Sequence, residues 1–447
     1  MPLNTLVVLM LENRSFDHLL GFMQSPSCQI DGLTGTEVNY LDPVARTGDV
    51  LVSDDAAYVP DVDPSPGHEF GNVITQIYGA YPPPASPIEL NLGFVKDYSN
   101  IAGVAKASSP MRCFSPARLP VITTLAREFA VCDHWFSSLP GPTWPNRFFA
   151  HCATSGGSID GAIDRVYTMG TLYQNLTARG INWRIYYHDI AQSLALVHQR
   201  QFLWTKYGRF EQSFARDCRE GRLPQYSFIE PRYFNEGLLR ANDQHPIHGV
   251  IGGELLIADI YEALRASPQW DESMLIITWD EHGGFYDHVE PKAATPPDDQ
   301  TEFFNFETYG VRVPAVVASP LIARGTIDHA IYDHSSIPAT AKAIFNLPAF
   351  LTRRDAAANT LQHLCATAPC RPDAPLRLAR PNSQAIAQSS IAEPEVTSMN
   401  DLQVELLALA RSLGGLSATP GPLSAVQNIS QGAAAREIRE NLARFTP

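Results

Sequence analysis

Two apolar runs, far apart in the chain, end in the same way. Residues 3–11, "LNTLVVLML", stop at Glu12 and Asn13, and residues 273–279, "SMLIITW", stop at Asp280 and Glu281. Neither run alternates polar with apolar. Such runs are strands covered on both faces, which belong in parallel sheets flanked by helices. Residues 181–188, 225–230 and 311–319 are further strand candidates, and helical spacing recurs over 120–130, 252–268 and 335–347. This alternation predicts an α/β fold with a mostly parallel central sheet flanked by helices.

Residues 24–110 break the pattern. They are rich in Pro, Gly and Asp, with "YPPPASP" as the extreme, and read as a loop-rich insertion near the N-terminus. The expected division of the 447 residues is a catalytic domain over 1–371 and a C-terminal segment over 372–447. That segment begins as a polar linker to about residue 400 and ends in two helices, over 402–413 and 433–445.

In open α/β sheets, ligands collect beyond the carboxyl ends of the strands. If the two apolar strands are parallel and central, Glu12, Asn13, Asp280 and Glu281 converge at one edge. Carboxylates crowded in this way repel unless a proton or a cation neutralises them. An oxygen-rich set suits Mg, Ca or Mn, with Zn or Fe if histidine joins. The competing reading is that these acids cap following helices.

A third element is "SLPGPTWPNRFFAHC", residues 138–152. A Gly/Pro-rich loop leads to Thr143, and Pro145 suits a helix start. Thr143 then stands at a helix N-terminus, where free N–H groups and the dipole favour an anion. A hydroxyl placed there is a candidate nucleophile, and Arg147, one turn on, a candidate clamp on the same anion. The plainer alternative makes Thr143 only an N-cap. His68, His245, His248 and His334 lie in Pro-, Gly- or Asp-rich loops, where catalytic groups tend to sit, while His151 and His188 read as structural.

Composition narrows the class. The formal net charge of −14 argues against a nucleic-acid partner, which needs a basic footprint. No apolar run approaches the length of a membrane span. The start lacks a basic region and a cleavage site, which predicts a cytoplasmic protein, or a periplasmic or secreted one if a signal has been removed. The cysteines read mostly as buried thiols, with Cys365 and Cys370 as a possible pair in an oxidising compartment. Walker A, GxGxxG, HExxH and GxSxG motifs are all absent.

Taken together, "VVLMLENRSFDHLLGFM", "SLPGPTWPNRFF", "NDQHP", "TWDEHGGFYDHV" and "YDHSSI" resemble the bacterial phosphoesterase family of phospholipases C and acid phosphatases. That family belongs to the alkaline-phosphatase-like group. The matching stretches run from Leu6 to about Phe345. The resemblance implies an alkaline-phosphatase-like fold and a divalent metal held by Glu12, Asn13, Asp280 and Glu281, with Thr143 as nucleophile on or near it. It implies that His68 and His245 face the phosphoryl group, and it matches His288 and His334 to family patterns. His282 is not expected to be a ligand, and Asp287 with His288 is expected to orient the turn after Glu281. Thr143-x-Pro145-x-Arg147 is also similar to the sulfatase signature, but threonine cannot form the sulfatase aldehyde. The expected activity is phosphate-ester hydrolysis through a phospho-threonine, with a small phosphorylated metabolite as favoured substrate. The alternatives are a phospholipase C acting on phosphocholine-type lipids, for which Trp135, Trp144, Tyr186 and Tyr187 are candidate cage residues, and a non-catalytic binding protein.

Overall fold

The computed structural model describes residues 3–58, 62–84, 89–161, 165–236, 238–382, 397–414 and 429–443. Its strands are β1 (Thr5–Leu11), β2 (Val38–Asp42), β3 (Thr47–Leu51), β4 (Ala130–Cys132), β5 (Trp183–Tyr187), β6 (Tyr207–Arg209), β7 (Tyr226–Glu230), β8 (Ser273–Trp279), β9 (Ala315–Ala318) and β10 (Thr326–Asp328). Eight of them form one sheet in the order β10-β4-β9-β8-β1-β7-β5-β6, while β2 and β3 form a hairpin. Only β9 runs antiparallel to its neighbours.

The centre of the sheet explains the two apolar runs. β1 and β8 pair in parallel from Thr5 opposite Ser273 to Leu11 opposite Trp279. All residues of both strands are buried, which is why neither run alternates. Each fully buried Leu, Ile or Val side chain contributes about 1.5–3 kcal/mol. Because the two strands end level, Glu12 and Asp280 leave the sheet side by side.

Two expectations need correction, and one open alternative is decided. The strand expected over 311–319 contracts to β9, because Pro314 cannot donate to a ladder and Val313 N–H bonds Trp135 O instead. The insertion over 24–110 is less irregular than its composition implies. It holds the β2–β3 hairpin and two nine-residue helices, Phe70–Tyr78 and Phe94–Ala102. Val73, Ile77, Phe94 and Val95 pack with Met111, Tyr286 and Val311 in a small apolar cluster apart from the main core. The turn-forming residues between these short elements hid them. Finally, Cys365 and Cys370 are free thiols, as are the other five cysteines.

The last two helices span Asp401–Gly414 and Gln431–Ala443. Leu402, Leu406, Leu409 and Ile438 are buried in the same core as the sheet. The middle of the expected linker, residues 383–396, lies outside the described residues. Among the described residues, no helix is long and apolar enough to cross a membrane.

Candidate active site

After β1 the chain turns sharply. Asn13 takes a left-handed conformation, φ 52°, which asparagine tolerates better than most residues. Its N–H donates to Asp280 Oδ1 at 2.8 Å, tying the two strand ends together. The helix that follows, Phe16–Leu20, is capped by Ser15, whose hydroxyl accepts from His18 N–H. Glu12 is therefore not a helix cap. Asp280 and Glu281 precede a turn through Gly283 (φ 65°) and Gly284 (φ 73°) rather than a helix. A Cβ on Gly283 would lie 2.3 Å from Asn13 O, so only glycine fits against the first turn.

The helix bearing Thr143 spans Thr143–Cys152. Its start is two residues earlier than the sequence implies, so Pro145 sits in the first turn rather than at its head. Pro142 is the N-cap, so Thr143 does not cap the helix. A helix leaves four N–H positions without an internal acceptor, and Pro142 and Pro145 remove two of them. Thr143 and Trp144 keep the other two. The Asn146 side chain fixes the preceding loop, donating to Gly141 O at 2.8 Å and Pro142 O at 3.1 Å. The Thr143 hydroxyl reaches Asn13 Oδ1 at 3.4 Å.

Glu12, Asn13, Asp280 and Glu281 are all buried. Glu12 Oε1 accepts from Arg147 Nη2 and Gln192 Nε2, and Glu281 Oε2 accepts from Gly283 N–H. Their other oxygens, Glu12 Oε2 and Glu281 Oε1, and also Asp280 Oδ2, have no hydrogen-bond partner among the described residues. Leaving buried carboxylate oxygens unpaired is costly. Burial pushes Glu12 well above the carboxylate range; Arg147 opposes this and Asp280 adds to it. Burial raises Glu281 as well, opposed by His68 and reinforced by Asp280. A divalent cation among these oxygens would satisfy all three and remove the repulsion, so the donor set fits a hard metal ion.

Arg147 does not take the position expected of an anion clamp. Nη1 pairs with Glu230 at 3.2 Å, and Nη2 bonds both Glu12 and Met10 O. With the guanidinium drawn in under the sheet edge, its role is to fix Glu12. Glu230 is in turn bonded by Tyr233 Oη at 2.7 Å.

The four histidines matched by the family resemblance, His68, His245, His288 and His334, separate into two groups. His68 and His245 come together, their rings 5.5 Å apart and edge to face. Asp401, from the C-terminal helix, lies between them, with Oδ2 2.9 Å from His68 Nε2 and Oδ1 3.5 Å from His245 Nε2. Burial works against a charge on His68, but Asp401 and Glu281 outweigh it and lift its pKa well above the usual value. Glu405, one turn beyond Asp401, accepts from Trp144 Nε1 at 2.5 Å and is pushed well up by burial.

The other two histidines serve elsewhere. His334 Nε2 donates to the Asp280 carbonyl at 2.5 Å, and its Nδ1 receives Trp135 Nε1 at 3.3 Å. It positions the Asp280 backbone and has no nitrogen left for a substrate. His288 is held by Asp17 at 2.7 Å and Asp31 at 3.1 Å, next to Arg312, in a separate ion-pair network that includes Asp287. His282 bonds Gln76 Oε1 at 2.6 Å, and burial lowers it to about 3, so it is neutral. Sequence reading missed Asp401, Glu405, Gln192 and Glu230. None sits in a motif, and only their places in the fold bring them to the site.

The Phosphoesterase family model matches residues 3–348. The chain belongs to the phosphoesterase family. Non-specific phospholipase C6 of Arabidopsis thaliana is 40% identical over 98% of this chain and 88% of its own length. Non-specific phospholipase C3 of the same plant is 38% identical, over 93% of this chain and 83% of its own. Phospholipase C B of Mycobacterium tuberculosis is 27% identical, over 77% and 73%. Among solved structures, a protein in the alkaline phosphatase superfamily from Vibrio parahaemolyticus aligns with a TM-score of 0.34 at 11% identity, over 69% of this chain and 84% of its own. The family's chemistry makes this protein a hydrolase of phosphoric esters. The resemblance first seen to bacterial proteins thus extends to plants.

Proposed function

We propose that this phosphoesterase is a phospholipase C: a metal-dependent phosphodiesterase that transfers the phosphoryl headgroup of a glycerolipid to Thr143 and then to water. The observation that carries the reading is the convergence of three partnerless, buried carboxylate oxygens with a hydroxyl at a helix N-terminus. The relatives' names favour a phospholipid over the small-metabolite monoester that the sequence alone made the first choice.

Glu12, Asn13, Asp280 and Glu281 would hold the metal ion. When bound, it supplies Lewis-acid stabilisation of phosphoryl oxygens and lowers the pKa of a hydroxyl beside it. The remaining work falls to the chain. Thr143 is held by Asn13 at the head of its helix, where the two N–H groups of Thr143 and Trp144 face incoming negative charge. Its oxygen attacks phosphorus, the bond to the diacylglycerol oxygen breaks, and a phospho-threonine diester forms. Water then displaces Thr143 and releases the phosphorylated headgroup. The leaving oxygen and the attacking water are served from the His68–Asp401–His245 side. Phosphoryl transfer needs little beyond such positioning and charge stabilisation.

The candidate cage aromatics do not form a cage. Trp135 stacks on Tyr332 in the core, Trp144 is buried against Glu405, and Tyr186 bonds Asp217. Tyr187 is buried on β5. With these side chains occupied in packing, recognition centres on the phosphodiester and tolerates different headgroups. The test compares nitrophenyl phosphate, bis-nitrophenyl phosphate, nitrophenyl-phosphocholine and vesicles of phosphatidylcholine or phosphatidylethanolamine, with and without a chelator. Chelator-sensitive release of diacylglycerol from both lipids is the expected result. Turnover of the monoester alone would overturn the phospholipase reading.

A further inference from the structure

The side chains of His68, His245 and Asp401 converge with one nitrogen, His245 Nε2, left without a hydrogen bond among the described residues. His68 Nδ1 lies 3.3 Å from Pro66 O, and His245 Nδ1 lies against Pro246 O. A backbone carbonyl can only accept, so the His68 ring places a proton on Nδ1, while His245 Nδ1 lies between Pro246 O and the Asn400 Nδ2 donor at 3.2 Å. Both Nε2 atoms point towards one carboxylate, His68 at 2.9 Å and His245 at the longer 3.5 Å. His245 Nε2 is fully buried and has no hydrogen-bond partner among the described residues. The three ligand atoms lie within 4.8 Å of one another.

The surroundings add to the imbalance. Glu69, Glu281 and Glu405 lie close enough to raise one another's pKa or to act on His68. With Glu12, Asp280 and Asp401 they make six carboxyl groups around one site. Arg147, buried among them, is shared with Glu230.

We infer that His68 Nε2, His245 Nε2 and the Asp401 carboxylate form a second divalent-metal site, distinct from the Glu12–Asn13–Asp280–Glu281 site and completed only by the C-terminal helix. Two imidazoles and a carboxylate are a donor set for zinc or a similar borderline ion, and three protein ligands leave a fourth position open to a phosphoryl or leaving-group oxygen. Pro66 O provides an outer hydrogen bond of the kind that orients a metal-bound imidazole. Metal binding uses both Nε2 lone pairs and displaces any proton that His68 carries. The inference rests on the catalytic reading above for what the ion does, but its existence is a separate question of composition.

The experiment counts metal. The full chain is stripped with a chelator, equilibrated with Zn2+ and freed of excess, and zinc per chain is measured by mass spectrometry. Two ions are expected in the wild type and one in Asp401→Asn and in His245→Gln, with circular dichroism showing both variants folded. Asp280→Asn is expected to keep the ion at the histidine site. Loading with Co2+ instead gives a visible absorption band whose nitrogen-dependent component is absent in His245→Gln. A single zinc in the wild type overturns the inference, as do two retained in both Asp401→Asn and His245→Gln. Should a variant fail to fold, the wild-type count and cobalt spectrum still decide. Two ions without turnover of any phosphate ester would sink the catalytic reading alone, and turnover with one ion would sink only the second site.

Discussion

Arg147 Nη2 donates to Glu12 Oε1 at 2.5 Å, with neither side chain open to solvent. The pair joins the helix of the candidate nucleophile to the strand of the candidate metal ligands. Removing one partner of a buried pair leaves the other uncompensated, at about 3–5 kcal/mol. Arg147→Met is expected to lower stability by that order in a denaturant titration and to weaken metal binding, since Glu12 loses its orientation. Unchanged metal affinity in a folded variant would show that Arg147 acts elsewhere.

Thr143→Ala removes the only hydroxyl at the head of its helix. Turnover of bis-nitrophenyl phosphate is expected to fall at least about 10³-fold, as for other nucleophile deletions, with the melting temperature and metal content unchanged. Thr143→Ser is expected to recover part of the rate. Mass spectrometry of acid-quenched wild type should show a phosphorylated peptide covering Thr143. Near-normal turnover by the alanine variant would rule out the covalent route.

Gly283→Ala places a methyl group 2.3 Å from Asn13 O, at φ 65°. The first turn must move to make room. Metal affinity and turnover are expected to drop by about tenfold or more, while stability falls by about 1–3 kcal/mol, the range for backbone strain of this kind. Isothermal titration with Mn2+ and a thermal melt separate the two effects. A variant with wild-type metal affinity would show that Gly283 does not govern Asn13.

The His288 network predicts a pH dependence. Burial opposes its charge, but Asp17 prevails, and its pKa is raised to about 9. The groups facing it are Asp17, Asp287, Asp31 and Arg312. A histidine raised from its unfolded value of about 6.5 stabilises the fold fully below that pH. The stabilisation is lost as pH rises through about 9. Asp31, held near 2 against the opposing effect of burial by His134, Arg312 and His288, contributes above about 4 and loses its contribution as pH falls through 2. The stability difference between wild type and His288→Gln should therefore be greatest between about pH 4 and 6.5 and shrink towards pH 9. A flat difference across that range would contradict the assignment.

How much of this was legible beforehand depends on distance along the chain. β1 and β8 were readable because a strand buried on both faces must be apolar throughout, and Glu12 and Asp280 mark where that requirement stops. Thr143 was readable because prolines and a following amphipathic run announce a helix start. Strands β4, β6 and β10 were not, since each is three residues long and owes its conformation to its neighbours. Nor was the orientation of Arg147, since the spacing that aims it at an anion also lets it turn inward to Glu12 and Glu230.

The sequence by itself determined the fold class, the edge of the sheet where chemistry gathers, and the residue types that gather there, because these follow from local periodicity and from where apolar runs end. Tertiary structure alone decided which histidine does what. His68 and His245 meet Asp401, His334 holds a backbone carbonyl, and His288 joins a separate ion-pair network. All four lie in similar loops, and a loop residue's partners are set by the packing of segments hundreds of residues apart. The arrival of Asp401 depends on a helix whose own sequence carries only the apolar spacing needed to dock.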